Sequence, residues 1–164
     1  MKKTKGKYRC MENKKGRMAA GILFWALSAG IVVLMFCFSG QTGEESSSLS
    51  MLLTQWVLDH FSFIRAEAEI LEHVLRKAAH FSIFAASGAF LYAALRFSFG
   101  KKRAIWLSLA ASAVLAVANE LHQLMNIERS CQVSDMMLDF SGAAAGILAA
   151  AALMWLAKKL FRRS

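Results

Sequence analysis

The side chains most able to take part in chemistry lie at the ends of the apolar stretches of this sequence. They are Arg76, Lys77 and His80 where the second apolar stretch begins, Glu120, His122 and Gln123 where the third ends, Arg129 in the following loop, and Asp135 and Asp139 where the fourth begins. Histidine and carboxylate groups transfer protons, and arginine and lysine bind anions. Charge beside an apolar span is costly, so these residues indicate either a functional site or a paired structural network. Both interpretations stay open from the residues alone.

Spacing decides which of these side chains can face one site. Arg76 and His80 are four residues apart and therefore share one face of a helix. Glu120 and His122 are two residues apart, which places them on nearly opposite sides of a helix. They can face one site only if the helix ends or bends there.

The fourth apolar stretch carries a stripe of acids and glycines. Asp135 and Asp139 are four residues apart, and Gly142 and Gly146 continue the same stripe. Small residues at this spacing let two membrane helices approach closely. We predict that Gly142 and Gly146 serve helix packing, and an exposed face of this kind is also compatible with a homo-oligomer.

Metal binding and catalysis are alternative interpretations of the same residues. His80, Glu120, His122 and Asp135 are of types that ligate metals, but no spacing such as HExxH occurs, and the neighbouring cations would oppose a bound metal ion. The sequence therefore predicts no metal and no other cofactor. A membrane-embedded enzyme that acts on a lipid-linked substrate through a histidine and a carboxylate is the alternative function, although no recognised pair of nucleophile and base is present.

Four apolar stretches must position these residues. They cover residues 18–39, 78–96, 104–124 and 136–157, and a membrane helix needs about 20 residues. Apolar residues make up 57% of the 164-residue chain, which has no proline. The first stretch is too long for the apolar part of a secretion signal, and no small-residue cleavage site follows it. The predicted fold is all-α, a four-helix transmembrane bundle that crosses a cell membrane several times.

Basic residues are distributed unevenly among the segments between these spans. Eight lie in residues 1–17, four in residues 96–103 and four in residues 158–164, whereas ten of the eleven acids lie elsewhere. Because basic residues concentrate on the cytoplasmic side, the sequence predicts cytoplasmic tails at 1–17 and 158–164 around a four-span domain at 18–157. The formal net charge of +9 is then explained by contact with the lipid bilayer, and no nucleic-acid partner is expected.

The segment between spans 1 and 2 is predicted to be extracytoplasmic. In it, Leu49, Leu52, Leu53, Trp56 and Val57 recur with the spacing of an amphipathic helix. This helix is too short and too polar to span, so we predict that it lies along the outer interface. The starts of spans 2 and 4 and the end of span 3 then reach the same outer face, which brings the polar residues to one membrane level.

Several motifs in the same order resemble the VanZ-like family over about residues 36–148. They are Phe38-Ser39-Gly40-Gln41 with Glu44, Glu45, Ser46 and Ser50, then Arg76-Lys77-Ala78-Ala79-His80-Phe81, then Glu120-Leu121-His122-Gln123, and finally Arg129-Ser130 with Asp135, Asp139, Gly142 and Gly146. The chain departs from the usual pattern at Phe84, where the family has tyrosine, at Glu128, where a glycine is frequent, and at Asp139, where it has asparagine.

The resemblance implies a function in the cell envelope. The family is named for a protein that gives low-level resistance to the glycopeptide teicoplanin in Gram-positive bacteria. For this chain it implies binding of a lipid-linked wall component or an amphiphilic glycopeptide antibiotic at the outer leaflet. It implies no particular reaction, so we expect a binding protein rather than an enzyme.

Overall fold

Five helices account for the ordered elements of the described chain. The computed structural model describes residues 2–61, 67–125 and 131–161, and these contain no strand. In chain order the helices are α1 (Lys2–Ser39), α2 (Gly43–His60), α3 (Ala68–Phe99), α4 (Lys101–Gln123) and α5 (Val133–Phe161).

Four of these helices are long and apolar enough to cross a membrane. They are α3, α4, the Lys15–Ser39 part of α1 and the Val133–Leu160 part of α5. A helix of 32 residues such as α3 is about 48 Å long, whereas the hydrocarbon core of a bilayer is about 30 Å thick. The predicted all-α bundle with four transmembrane helices is confirmed, and the chain is a multi-pass membrane protein.

Two helices extend well beyond the predicted spans. Helix α1 begins at Lys2, so the basic segment 1–17 continues into span 1 without a break in the helix from that residue. Helix α3 begins at Ala68, ten residues before the predicted start of span 2 at residue 78. Hydropathy identifies the part of a helix that crosses the hydrocarbon core, whereas these helices continue beyond it through polar residues.

Helix α2 begins at a capping box. The Thr42 hydroxyl accepts a hydrogen bond from the Glu45 backbone N–H, and the Glu45 carboxylate accepts one from the Thr42 N–H. These bonds satisfy donors that a helix start otherwise leaves open. Thr54 is fully buried, whereas Leu52 and Trp56 are more than half exposed. The amphipathic helix predicted between spans 1 and 2 is therefore present, and its most apolar side faces away from the bundle.

Helix α3 is the central element, because it contacts each of the other four helices. Its contact with α5 is close enough to exclude a Cβ atom at three glycines. A methyl group on Gly142 would overlap the backbone of Phe81, one on Gly146 that of Ala85, and one on Gly88 that of Ala143. Small residues thus bring the two helix axes together. The turn from α3 to α4 uses Gly100, whose φ of 86° disfavours other residues.

Candidate functional site

One end of the bundle brings several buried polar side chains together. The start of α3, the end of α4 and the start of α5 meet there, and we call this region the polar end. Four of its side chains are almost inaccessible to solvent: Asn119, Glu120, Gln123 and Asp139. Beneath them, Met35, Phe84, Ala116 and Ala143 form an apolar cluster that closes this end from within.

Asp139 joins the three helices of the polar end. Its side chain is 0% exposed, and its Oδ2 accepts a hydrogen bond of 3.2 Å from the Nδ2 of Asn119 on α4. Its Oδ1 lies 3.4 Å from the Nδ1 of His80 on α3, close enough for an ion pair but not aligned as a hydrogen bond. A buried carboxylate needs such partners. The contact with Asp139 also orients the His80 ring, because it holds Nδ1 towards α5.

Two further contacts connect the same helices. The Nζ of Lys77 lies 3.2 Å from the Oδ1 of Asp135, at the start of α5. The Oε2 of Glu120 accepts a hydrogen bond of 3.1 Å from the backbone N–H of Gln132, just before α5. Glu120 also lies within electrostatic range of His80, Asp135 and Asp139. We call the group the carboxylate network; its members are Lys77, His80, Asn119, Glu120, Asp135 and Asp139.

A cleft of about 230 Å³ opens on the other side of His80, between the end of α1, helix α2 and the start of α3. We call it the α2 cleft. Its polar lining comes from Gln41, Ser46, Ser50, Arg76 and His80, and its apolar lining from Phe38, Leu49, Leu53, Leu75 and Ala79. No carboxylate is among its lining residues, although Glu72 pairs with Arg76 and Asp139 lies beside His80.

Arg76 is held at the wall of the α2 cleft by two partners. Its Nη2 donates a hydrogen bond of 2.7 Å to the Oγ of Ser47 on α2. The same nitrogen also pairs with the carboxylate of Glu72, one turn earlier on α3. Its Nε is buried and has no hydrogen-bond acceptor among the described residues. A buried donor without a partner costs about 1–3 kcal/mol, more if charged. The guanidinium therefore retains capacity for a further acceptor.

The eight predicted residues that the structure describes contact different parts of the bundle. His122 lies against α1, where its ring meets Phe36 edge-on at 5.4 Å between centroids, whereas Glu120 contacts the start of α5. The two-residue spacing requires this division. Gln123 is buried at the same end of α4. Arg129 lies outside the described residues.

Three contributors were absent from the predicted set. Asn119 precedes Glu120 directly, and its burial beside Asp139 depends on how α4 is rotated against α5. Glu72 has a signal in the sequence, because it lies four residues before Arg76. Ser47 has none beyond its place in a polar segment, since its contact with Arg76 joins residues far apart in the chain.

Metal ligation finds no geometric support in the described part of the chain. Across residues 2–61, 67–125 and 131–161, no three His, Cys, Asp or Glu side chains converge in a way that could hold a metal ion. Lys77 also places its ammonium group on one of the carboxylates that a metal would need.

A helical, multi-pass membrane protein with a buried polar network at one end is the class that this fold and site define. A family model described as VanZ/LLP1 matches residues 24–156, which include the carboxylate network and the α2 cleft. The chain therefore belongs to the VanZ-like family. No curated protein and no solved structure shows significant similarity to it.

Proposed function

We propose that this VanZ-like membrane protein binds the polar head of an envelope amphiphile at the outer leaflet. The amphiphile is a lipid-linked wall component or an amphiphilic glycopeptide antibiotic. The observation that carries the proposal is the α2 cleft, where Arg76 and His80 stand among apolar side chains. Binding sites for small amphiphiles combine a few placed polar groups with apolar walls in this way.

The position of the α2 cleft relative to the membrane is part of the proposal. Sixteen of the twenty basic residues lie in the segments 1–17, 96–103 and 158–164, and the described parts of these segments lie at the helix ends away from the α2 cleft. By the positive-inside rule this end is cytoplasmic, with both termini, and the polar end faces outward. The exposed Leu52 and Trp56 of α2 then lie at the outer interface, where tryptophan is common.

The size of the α2 cleft favours one class of amphiphile. Drug-sized ligands occupy pockets of about 300–1,000 Å³, whereas the cleft measures about 230 Å³. It has room for a head group and the first part of a chain, and the rest of the chain would stay in lipid. A lipid-linked component meets this limit better than the body of a glycopeptide.

Lipid retention tests the binding proposal. Protein purified in a non-ionic detergent is incubated with a lipid extract of bacterial envelopes and analysed by native mass spectrometry. We expect wild-type protein to retain an amphiphile that Ala79→Trp protein does not, because Ala79 is exposed and lines the cleft. The control is Arg103→Trp, which adds the same side chain at an exposed position outside the cleft. Identical bound lipids in wild type and Ala79→Trp would contradict the proposal.

Labelling tests the orientation. In a variant without native cysteines, a membrane-impermeant maleimide added to intact cells should label Ser48→Cys, at the exposed start of α2. It should label Lys102→Cys, at the exposed start of α4, only after the cells are opened. External labelling of Lys102→Cys would contradict an outward polar end.

Hydrolysis is a second candidate function, favoured by the contact between His80 and Asp139. A carboxylate beside Nδ1 orients an imidazole so that its Nε2 can take a proton from water. The water oxygen would attack an ester or phosphoryl group in the α2 cleft, and the proton would pass to the leaving oxygen. In this candidate reaction the nucleophile is water, and His80 is its base.

Product analysis separates the two candidates. A bound ester or phosphate amphiphile should be recovered intact after long incubation if the protein only binds it. Conversion that disappears in His80→Gln protein while binding persists would establish the enzyme and replace the binding function.

A further inference from the structure

We infer that the α2 cleft selects an amphiphile whose head is a phosphate group, with Arg76 as its anion ligand. This inference rests on the proposed function and names the chemistry of its ligand. The occupant is a membrane amphiphile, and free inorganic phosphate is a separate arm of the test.

The guanidinium of Arg76 provides the first argument. Both of its contacts use Nη2, and Nε is buried without an acceptor among the described residues. The planar guanidinium donates in a fixed fork that matches phosphate oxygens. Because Arg76 lines the cleft, an anionic oxygen bound there would meet a charged donor group whose hydrogen bonds to the protein are incomplete.

The charge of the cleft lining provides the second argument. Arg76 and His80 are the ionisable residues that line it, and Lys77 follows Arg76 directly in α3. With Nδ1 of His80 turned to Asp139, Nε2 is the ring nitrogen left for a ligand. The lining hydroxyls of Ser46 and Ser50 add neutral donors, and an anionic head meets no lining carboxylate.

The apolar wall provides the third argument, because it selects against a free anion. Leu49 and Leu53 line the cleft and are also about half exposed at the surface of the molecule. A chain attached to the phosphate can leave the cleft along these leucines and enter the lipid. Burial of its methylene groups there contributes transfer free energy that inorganic phosphate cannot obtain.

Glu72 is the counterion that the ligand must displace or share. Its carboxylate occupies the same Nη2 that faces Ser47. Replacing Glu72 by glutamine keeps the size of the side chain but removes the competing negative charge. Phosphate binding should therefore become tighter in Glu72→Gln, which a purely structural pair would not predict.

Calorimetric titration in a non-ionic amphipol tests the inference with defined probes. The probes are dodecyl phosphate, dodecyl maltoside, dodecyltrimethylammonium and inorganic phosphate. We expect wild-type protein to bind dodecyl phosphate at least about tenfold more tightly than each of the others. Arg76→Gln should weaken dodecyl phosphate binding by about tenfold to a hundredfold, the effect of one hydrogen bond to a charged group.

Matched variants make the result interpretable. Arg96→Gln, at the other end of the same helix, should leave the affinity unchanged. Thermal unfolding of every variant shows whether a loss of binding is a loss of fold, and tighter binding in Glu72→Gln cannot arise from unfolding. Unchanged affinity in Arg76→Gln, or weaker binding in Glu72→Gln, would overturn the inference.

The arms also separate this inference from the proposed function. Equal binding of dodecyl maltoside and dodecyl phosphate would remove phosphate selectivity and leave amphiphile binding intact. Equal binding of inorganic and dodecyl phosphate would show an anion site without an amphiphile. Binding of none of the probes, together with no lipid retained from envelope extracts, would overturn both.

Discussion

The carboxylate network and the α2 cleft lie on opposite sides of His80, and they differ in what their charges contact. In the network, the 0% exposed Asp139 is bonded across three helices, to Asn119 on α4 and towards His80 on α3. In the cleft, Arg76 is partly exposed, contacts Glu72 on its own helix and Ser47 on α2, and has a buried Nε without an acceptor among the described residues. Charges that connect helices stabilise the bundle, whereas a charge with unused donors beside a cavity is suited to a ligand. We infer that both interpretations of the polar residues apply, each to a different region.

The largest expected effect is on stability, and it comes from the network. Replacing Asp139 by alanine leaves Asn119 Nδ2 and His80 Nδ1 without their buried partner, and each buried polar group left unsatisfied costs about 1–3 kcal/mol. The midpoint of thermal unfolding in detergent should fall sharply, or expression should be lost. Asp59→Ala, at an exposed acid of α2, is the control. An unchanged midpoint for Asp139→Ala would remove the structural role of the network.

A second effect tests the helix contact that holds the network together. Gly146→Ala places a methyl group on the backbone of Ala85, so α3 and α5 must separate. Overpacking of this kind costs about 1–3 kcal/mol. Gly30→Ala is the matched control, because nothing lies within 4 Å of its added Cβ. If both substitutions shift the unfolding midpoint equally, the close approach of α3 and α5 does not stabilise the protein.

A smaller effect is expected for the ion pair at the rim of the network. The side chains of Lys77 and Asp135 are 39% and 30% exposed, so solvent screens them and the pair is worth about 1 kcal/mol or less. Lys77→Asp and Asp135→Lys should each lower the unfolding midpoint, and the double exchange should restore most of it. A double variant no more stable than the sum of its singles would show that the two charges do not interact.

Sequence reasoning succeeded where a property is carried by composition or by near neighbours in the chain. The four spans follow from hydropathy, and the opposite directions of Glu120 and His122 follow from helical spacing. The start of α3 at Ala68 was not predicted, because its first turns are polar and continue a helix whose lipid-facing part begins later.

The division of the polar end could not be read from the sequence. It depends on how α2 and α4 are rotated against α3 and α5, which decides that Ser47 meets Arg76 and that Asn119 meets Asp139. Both contacts join residues twenty or more positions apart. Helical periodicity identifies which side chains share a face, but not which face of another helix they meet.

The smallest expected effect concerns α2, which covers the cleft. Trp56 is 52% exposed, so at the interface its fluorescence should be quenched by brominated lipid in a variant whose other tryptophans are phenylalanine. The midpoint of thermal unfolding of this variant should equal that of the wild-type protein. Strong quenching by aqueous iodide without an effect of brominated lipid would place α2 away from the membrane.

Covalent mapping of the ligand tests the central claim most directly. A dodecyl phosphate with a photoreactive diazirine near the head is irradiated with the protein, and the modified peptides are identified by mass spectrometry. We expect adducts at the cleft wall, on Leu49, Leu53 or Leu75, that excess dodecyl phosphate removes. Adducts spread over lipid-facing residues such as Ile22 and Leu153, unaffected by the competitor, would show that the α2 cleft binds no phosphate amphiphile.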